Sequence, residues 1–249
     1  MPERWRGDAI LLDLFGTVVQ FAPQVPIVEV AGTRWRSTMG WLRDAAEREL
    51  PGVDFAELLA SIMRVTEEIV RHRPPQYREV PSRERFRRAL EGLGVDGALL
   101  PGAAERLSDA HMQHLASMTV LPAIHSELLA DLARRYRLGV VSNFDHALTA
   151  HRILAMHGVA HFFDAVLISD EFGRRKPHPQ IFAATLQALR TPADRALFVG
   201  DSLHDDVVGA HAAGLLAVWI NAKSEVPPAD GPTPDYTITE LAELAAVVG

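Results

Sequence analysis

The chain has 249 residues, 48% of them hydrophobic, and carries a formal charge of −7. That composition supports a packed core, and the acidic balance argues against general nucleic-acid binding. There is no cysteine, so disulfides and thiolate chemistry are excluded, and no apolar run reaches the ~18 residues of a membrane-spanning helix. With no signal-like segment at the charged N-terminus, a soluble cytoplasmic protein without membrane contact is expected.

Ala9-Ile10-Leu11-Leu12 predicts a strand buried on both faces, as in a parallel sheet covered by helices. It runs into Asp13-Leu14-Phe15-Gly16-Thr17, which sets a carboxylate at the strand's carboxyl end, where open α/β sheets hold their ligands. Gly16 permits a sharp turn, and Thr17 adds a hydroxyl. Such a carboxylate acts as a nucleophile, a metal ligand or both; an Asx-turn that merely ends the strand is the competing reading.

Residues 20–30 read as a connector. Four helices are then predicted, Thr33 to Leu50, Phe55 to His72, Ser82 to Gly92 and Ala103 to Met118, punctuated by Pro51, Pro74-Pro75 and Pro101-Gly102. In the second, Leu58, Leu59, Ile62 and Met63 recur at helical spacing, with Ile69 further on. Ser82 is the expected N-cap of the third, with Arg85 where a capping box needs an acid. Residues 71–88 hold seven arginines against Glu79 and Glu84. A solvated helix face explains such a run best; a patch steering an anionic substrate is the alternative.

From Leu121 onward, helices alternate with short apolar strands, the pattern of βα units and a parallel sheet. The strands are Leu138 to Val141, Val166 to Ile168, Ala196 to Gly200, Leu216 to Ile220 and Tyr236 to Ile238. Ser142-Asn143-Phe144-Asp145 follows the first, and Asp201-Ser202-Leu203-His204-Asp205-Asp206 follows the third. Between them Lys176 sits in a Pro-braced loop. Only Lys176 and Lys223 among the 25 basic residues are lysine. In so arginine-rich a chain, a lysine in that loop suggests that a compact ammonium is wanted there. His178, two residues on, reads as loop packing.

Taken in order, Asp13 to Thr17, Ser142, Lys176, and Asp201 with Asp205 and Asp206 resemble the four motifs of the haloacid dehalogenase (HAD) superfamily. The resemblance covers residues 6–19 and 120–245. It implies an α/β fold, a doubly wound parallel sheet built from residues 1–19 and 120–249, with residues 20–119 inserted as an α-helical cap. It further implies Asp13 as nucleophile, with Thr17 beside it, and Ser142, the Asn143 backbone N–H and Lys176 on the substrate's phosphate. Magnesium is implied on Asp13, the Phe15 carbonyl, Asp201 and a last acid. Alignment on Val207-Val208-Gly209-Ala210 favours Asp206 for that acid, with Asp205 the fallback. The implied partner is a small phosphate ester.

One position departs from the family pattern. HAD phosphatases carry a second Asp two residues after the nucleophile, and this chain has Phe15 there. The missing acid protonates the leaving group, work worth roughly 10²–10⁴-fold. Either His204, Asp145 or His146 replaces it, or the leaving group needs no proton, or the enzyme is slow. An aromatic residue at this position is also found in 2-haloacid dehalogenases, which use no metal, and dehalogenation is therefore the second reading. Asp201 opposes it, since an extra carboxylate repels a haloacid by on the order of 1–4 kcal/mol at contact. Phosphonate cleavage through a cap lysine is disfavoured, because residues 20–120 contain no lysine. A non-catalytic binding protein is the third reading, against which the intact Asp13, Thr17, Ser142, Lys176 and Asp201 weigh. A magnesium-dependent phosphatase acting through an aspartyl-phosphate is the leading expectation.

Overall fold

The computed structural model describes residues 4–22, 25–30 and 32–249. Its strands are β1 (Ala9–Leu12), β2 (Gln20–Phe21), β3 (Ile27–Val30), β4 (Thr33–Arg36), β5 (Thr119–Val120), β6 (Arg137–Ser142), β7 (Ala165–Ile168), β8 (Ala196–Gly200), β9 (Leu216–Ile220) and β10 (Tyr236–Ile238). The α-helices are α1 (Arg43–Glu49), α2 (Phe55–Arg71), α3 (Ser82–Glu91), α4 (Leu100–Ser117), α5 (Ala123–Ala133), α6 (Ala147–Met156), α7 (Ser169–Phe172), α8 (Pro179–Leu189), α9 (Gly209–Ala212) and α10 (Leu244–Val247).

Six strands form one parallel sheet in the order β10-β9-β8-β1-β6-β7. Both its faces are covered, and the period-two geometry of a strand sorts the side chains between them. Ile10, Leu12, Leu138, Val140, Leu197 and Val199 join one apolar cluster, closed by Leu128, Leu129 and Leu132 of α5 and by Ile153 of α6. Their neighbours Ala9, Leu11, Val141, Ala196 and Phe198 join the opposite cluster, closed by Ile181, Phe182 and Leu189 of α8. Hence β1 reads as an uninterrupted apolar quartet: alternation is lost when both faces are buried. The strand order reverses at β1, and such a reversal opens a crevice beyond the carboxyl ends. Leu12 lies opposite Val140 of β6 and Val199 of β8, so Asp13, Ser142 and Asp201 emerge together at that edge.

Between β1 and β6 the chain makes a separate apolar cluster, with Leu58, Leu59, Ile62 and Ile69 of α2 against Phe86 and Leu90 of α3 and Leu107 of α4. Asp54 starts α2 by accepting from the N–H groups of Ala56 (2.9 Å) and Glu57 (3.0 Å), two of the donors a helix start leaves open. Met63, expected on the apolar stripe, faces outward instead.

Four sequence expectations need correction. The helix expected from Thr33 is an antiparallel hairpin, Ile27–Val30 with Thr33–Arg36, turning at Gly32 (φ +75°). Ser37 then stays extended and accepts from Met39 N–H (3.2 Å), so the helical stretch begins only at Thr38 with a 3₁₀ segment before α1. The connector at 20–30 contains β2, paired antiparallel with β5; its Pro23 and Gln24 lie outside the described residues. Ser82 is not the cap of α3 but its first residue, following Pro81, and its hydroxyl is buried without a partner. Helix α4 begins at Leu100, three residues earlier than expected, because a first turn accepts Pro101 without losing a hydrogen bond.

Candidate active site

Beyond β1, Asp13 N–H continues the sheet ladder to Val199 C=O (2.9 Å) before the chain turns. The turn is closed by Gly16 N–H on Val19 C=O (2.8 Å) and Val19 N–H on Leu14 C=O (2.9 Å). Gly16 has φ +79°, and a Cβ there would stand 2.2 Å from Asp201 Oδ2. Only glycine satisfies both conditions. Gly200 makes room in the same way: its Cβ would lie 2.2 Å from Asp206 Oδ2. These close backbone approaches let three acids converge.

Carboxylate oxygens of Asp13, Asp201 and Asp206 all lie within 4.8 Å of one another. Lys176, 2% exposed, stands between two of them, with Nζ 2.8 Å from Asp13 Oδ1 and 2.7 Å from Asp206 Oδ1. Burial alone would depress this ammonium, but Asp13 and Asp206 reverse the effect and hold its pKa above the ordinary value. Three carboxylates against one ammonium leave a formal charge of −2. Burial pushes Asp13 up to about 7; Lys176 opposes the rise, and the charges of Asp206 and Asp201 add to it. Asp201 is raised as well, by partial burial of its carboxylate and then by Asp206, although the residue is exposed at the mouth of the site.

Two buried hydroxyls belong to the same edge. Thr17 Oγ1 and Ser142 Oγ are both inaccessible and neither has a hydrogen-bond partner. Buried hydroxyls are seldom left unpaired, so a pair of them beside the acids describes a place prepared for a polar ligand. Asn143 has a second use that its sequence position does not reveal. Its amide accepts from Lys176 N–H (2.7 Å) and donates to Lys176 C=O (3.0 Å) and to Asp205 Oδ2 (2.9 Å). Asn143 thereby fixes the loop that presents the lysine.

The two neighbouring acids divide cleanly. Asp206 accepts from Ser202 N–H (2.9 Å) and pairs with Lys176, whereas Asp205 turns to Asn143 and to His204 Nδ1 (2.8 Å). A π-helical turn over Leu203–Val208 produces this split, the kind of local irregularity that gathers at functional sites. His178 caps α8, accepting from Gln180 N–H (3.3 Å). Among the candidate proton donors, Asp145 is paired with Arg85 (3.0 Å) and His146 with Asp109 (3.3 Å), while His204 is exposed. Phe15 is half-buried between Phe21 (centroids 5.2 Å apart, stacked) and Phe144 (4.7 Å).

Sequence reasoning missed Gln20, whose Nε2 donates to Gly16 C=O (3.2 Å), and Trp219, whose Nε1 donates to Asp201 C=O (3.0 Å). Neither lies in a motif; both brace backbone from elements distant in sequence. Together with Gly16, Asp201, Asn221 and Lys223 they line a cavity of about 150 Å³ beside the acids. A larger depression between Arg83, Glu84, Arg87 and Pro101 contains none of the motif residues. Within the arginine run, Arg87 pairs with Glu84 and Glu91 and Arg88 with Glu84 along α3, as on a solvated helix face.

The donor set suits a hard divalent cation. All three side chains offer carboxylate oxygen, the preferred ligand of magnesium, and an excess charge of −2 in a water-poor crevice is what such an ion relieves. The Phe15 carbonyl sits in the same turn, one residue before Gly16.

A family model of haloacid dehalogenase-like hydrolases matches residues 8–214, and the chain belongs to that family. It is accordingly a hydrolase on a HAD-type α/β fold. The phosphoserine phosphatase of Thermus thermophilus is 35% identical over 167 residues, 66% of this chain and 64% of that protein. The match therefore spans slightly less than two thirds of that relative. The pyrimidine 5'-nucleotidase YjjG of Escherichia coli is 34% identical over 162 residues, 64% of this chain and 68% of that protein. Among solved structures, the 2-haloacid dehalogenase from Pseudomonas syringae pv. Tomato DC3000 aligns with a TM-score of 0.72 at 25% identity, over 96% of this chain and 97% of that one. No helix among the described residues is long and apolar enough to cross a membrane.

Proposed function

We propose that this chain is a magnesium-dependent phosphatase of a small phosphorylated metabolite, working through an aspartyl-phosphate on Asp13. The observation that carries the reading is the buried Lys176, held by Asp13 and Asp206 beside the unpartnered hydroxyls of Thr17 and Ser142. A dehalogenase has no use for so much fixed negative charge, whereas a phosphoryl group and its cation do. The two curated relatives described above are both named for phosphate-ester cleavage.

In this mechanism Asp13, Asp201 and Asp206, with the Phe15 carbonyl, would hold Mg²⁺. Its charge, when bound, offsets repulsion between the Asp13 carboxylate and the phosphate dianion. The protein's own groups do the rest. Asp13 attacks phosphorus through one carboxylate oxygen, and the leaving oxygen departs in line. Lys176 Nζ, 2.8 Å from Asp13, follows the charge from carboxylate to phosphoryl oxygen without leaving its place. Ser142 Oγ, Thr17 Oγ1 and the Asn143 backbone N–H donate to the equatorial oxygens, where charge builds up. Water then attacks the aspartyl-phosphate and restores Asp13. Phe15 supplies no proton, so esters with good leaving groups are favoured. Residues 20–119 act as the cap that excludes water and selects the leaving group, with residues 1–19 and 120–249 carrying the chemistry.

The test is phosphate release from small esters and p-nitrophenyl phosphate, with magnesium and with chelator, alongside Asp13→Asn. Release that requires both magnesium and Asp13 supports the reading; release indifferent to either removes it. Phe15, wedged between Phe21 and Phe144, favours a second reading, metal-independent dehalogenation of a small haloacid, to which the likeness to the Pseudomonas dehalogenase also lends weight. Chloride release from 2-chloropropionate in chelator, with no phosphate release in magnesium, would establish that alternative.

A further inference from the structure

Two loops bring polar groups to Asp13: the one after β6, with Ser142 and Asn143, and the one between α7 and α8, with Lys176. Both are held from outside the sheet by the segment that joins α2 to α3. Arg175 N–H donates to Tyr77 C=O (2.9 Å), Glu79 N–H to Gly173 C=O (3.1 Å), and Ser82 N–H to Asp145 C=O (2.7 Å). Arg174 Nη1 donates to Gln76 C=O (2.6 Å).

One side chain of that segment joins the two loops. Glu79 has a side chain only 2% exposed. Arg175 Nη1 lies 3.1 Å from each of its carboxylate oxygens. Val80 N–H donates to it as well (3.0 Å), and so does the buried hydroxyl of Ser169. The same hydroxyl accepts from Phe144 N–H (2.9 Å). Glu79 therefore reaches the residue before Lys176 through Arg175, and the residue after Asn143 through Ser169. A carboxylate withdrawn from water needs a counter-charge and hydrogen bonds, and here both come from the loops that build the site. Asn143 grips Lys176 from the other side, at its N–H and C=O. The ammonium these contacts place lies 2.8 Å from Asp13 and 2.7 Å from Asp206, and a misplacement of ~1 Å can cost on the order of 10²-fold in rate.

We propose that Glu79 is a positioning residue for Lys176 and for the Ser142–Asn143 turn, acting through Arg175 and Ser169 rather than on the substrate. Docking of the segment between α2 and α3 and completion of the site are then a single event. The inference rests on Lys176 serving the hydrolytic step, and only the choice of probe substrate rests on the phosphatase reading.

The experiment compares the wild type with Glu79→Gln, Glu79→Asp, Arg175→Gln and the double variant Glu79→Gln/Arg175→Gln. Turnover is measured with magnesium on p-nitrophenyl phosphate and glycerol 3-phosphate, and amide hydrogen exchange is followed over residues 173–178 with β8 as control. Glu79→Gln should lower kcat on the order of 10–100-fold, by the same factor on both esters, with KM changed less than about threefold. Glu79→Asp, which keeps the charge on a shorter stem, should recover part of the loss. The double variant should be no slower than the slower single variant, since the two residues act as one unit. Exchange at Arg175 and Lys176 should quicken about tenfold or more while β8 is unchanged. If Glu79→Gln does not fold, Arg175→Gln breaks the same bond from its less buried partner and carries the test. A loss confined to one ester would assign Glu79 to substrate binding and overturn the proposal. Faster exchange with kcat within about twofold of the wild type would also overturn it, by showing that the contact only docks the segment. Absence of phosphate release by the wild type would remove the phosphatase reading alone; the same variants are then compared on 2-chloropropionate and by exchange, where unchanged exchange would overturn the positioning role.

Discussion

Replacing Lys176 with methionine keeps an unbranched side chain but removes the ammonium lying 2.8 Å from Asp13 and 2.7 Å from Asp206. Two buried carboxylates would then face each other without a counter-ion. Removing one partner from a buried ion pair costs about 3–5 kcal/mol, and the expected result is a urea midpoint lowered accordingly at unchanged slope, together with loss of turnover. An unshifted midpoint would mean that the acids are neutralised by something other than the lysine. At this scale much of the site was legible. Asp13, Ser142 and Asp201 each terminate an apolar strand, and Gly16 announces the turn. The side-chain use of Asn143 was not legible, because its partners Lys176 and Asp205 belong to other loops and only folding brings them together. The surroundings of Phe15 were hidden for the same reason. Phe21 and Phe144 approach it from different elements.

The helices between β1 and β6 were read well where periodicity and caps agreed, and badly where they did not. Helix α2 has an apolar stripe, an Asp cap and proline punctuation beyond its end, and its bounds fall within one residue of expectation. Thr33 to Leu50 has helical composition in its second half only. β-Branched Val28, Val30 and Thr33 flank Gly32 and favour a hairpin, and Ser37 interrupts before the helix can form. A buried histidine in α4 gives this region an acid sensitivity. His111 is 3% exposed, bonded through Nε2 to Thr38 Oγ1 (2.9 Å), and burial, then the charges of Arg85 and His114, depress it to about 3. The unfolded chain takes up a proton near pH 6.5 and the folded one does not until about pH 3, so this residue's support is complete above 6.5 and drains away as pH falls toward 3. Denaturant titrations of wild type and His111→Gln should therefore diverge with pH. Wild-type stability relative to the variant is expected to fall by up to ~1.4 kcal/mol per pH unit across that window. Parallel curves would show that the histidine titrates normally.

For the molecule as a whole, composition and strand pattern sufficed to anticipate a parallel sheet covered on both faces, because apolar quartets with no alternation have few other uses. The strand order is less accessible to sequence. It depends on which side of β1 each later unit docks, and that choice is made by packing of α5 and α6 on one face and α8 on the other. The backbone bonds that tie Tyr77, Glu79 and Ser82 to Arg175, Gly173 and Asp145 are a further property of the whole chain, made between residues 63 to 98 positions apart.

The antiparallel pairing of β2 with β5 has a consequence beyond local geometry. Phe21 stands opposite Thr119 in register in a two-stranded ribbon of their own, so the long excursion between them departs and returns at neighbouring points, like a branch grafted at one node. Closing a loop depends only weakly on its length, by about 0.6 kcal/mol for each doubling, and the sheet is therefore largely indifferent to what the graft contains. A chain in which residues 22–118 are replaced by a short Asn-Gly turn is expected to keep a cooperative thermal transition at reduced stability; a non-cooperative transition would show that the sheet cannot fold without its graft. If the node holds, exchange of the intervening segment among related chains becomes a route to new substrate preferences, with the acids and the lysine left untouched beneath.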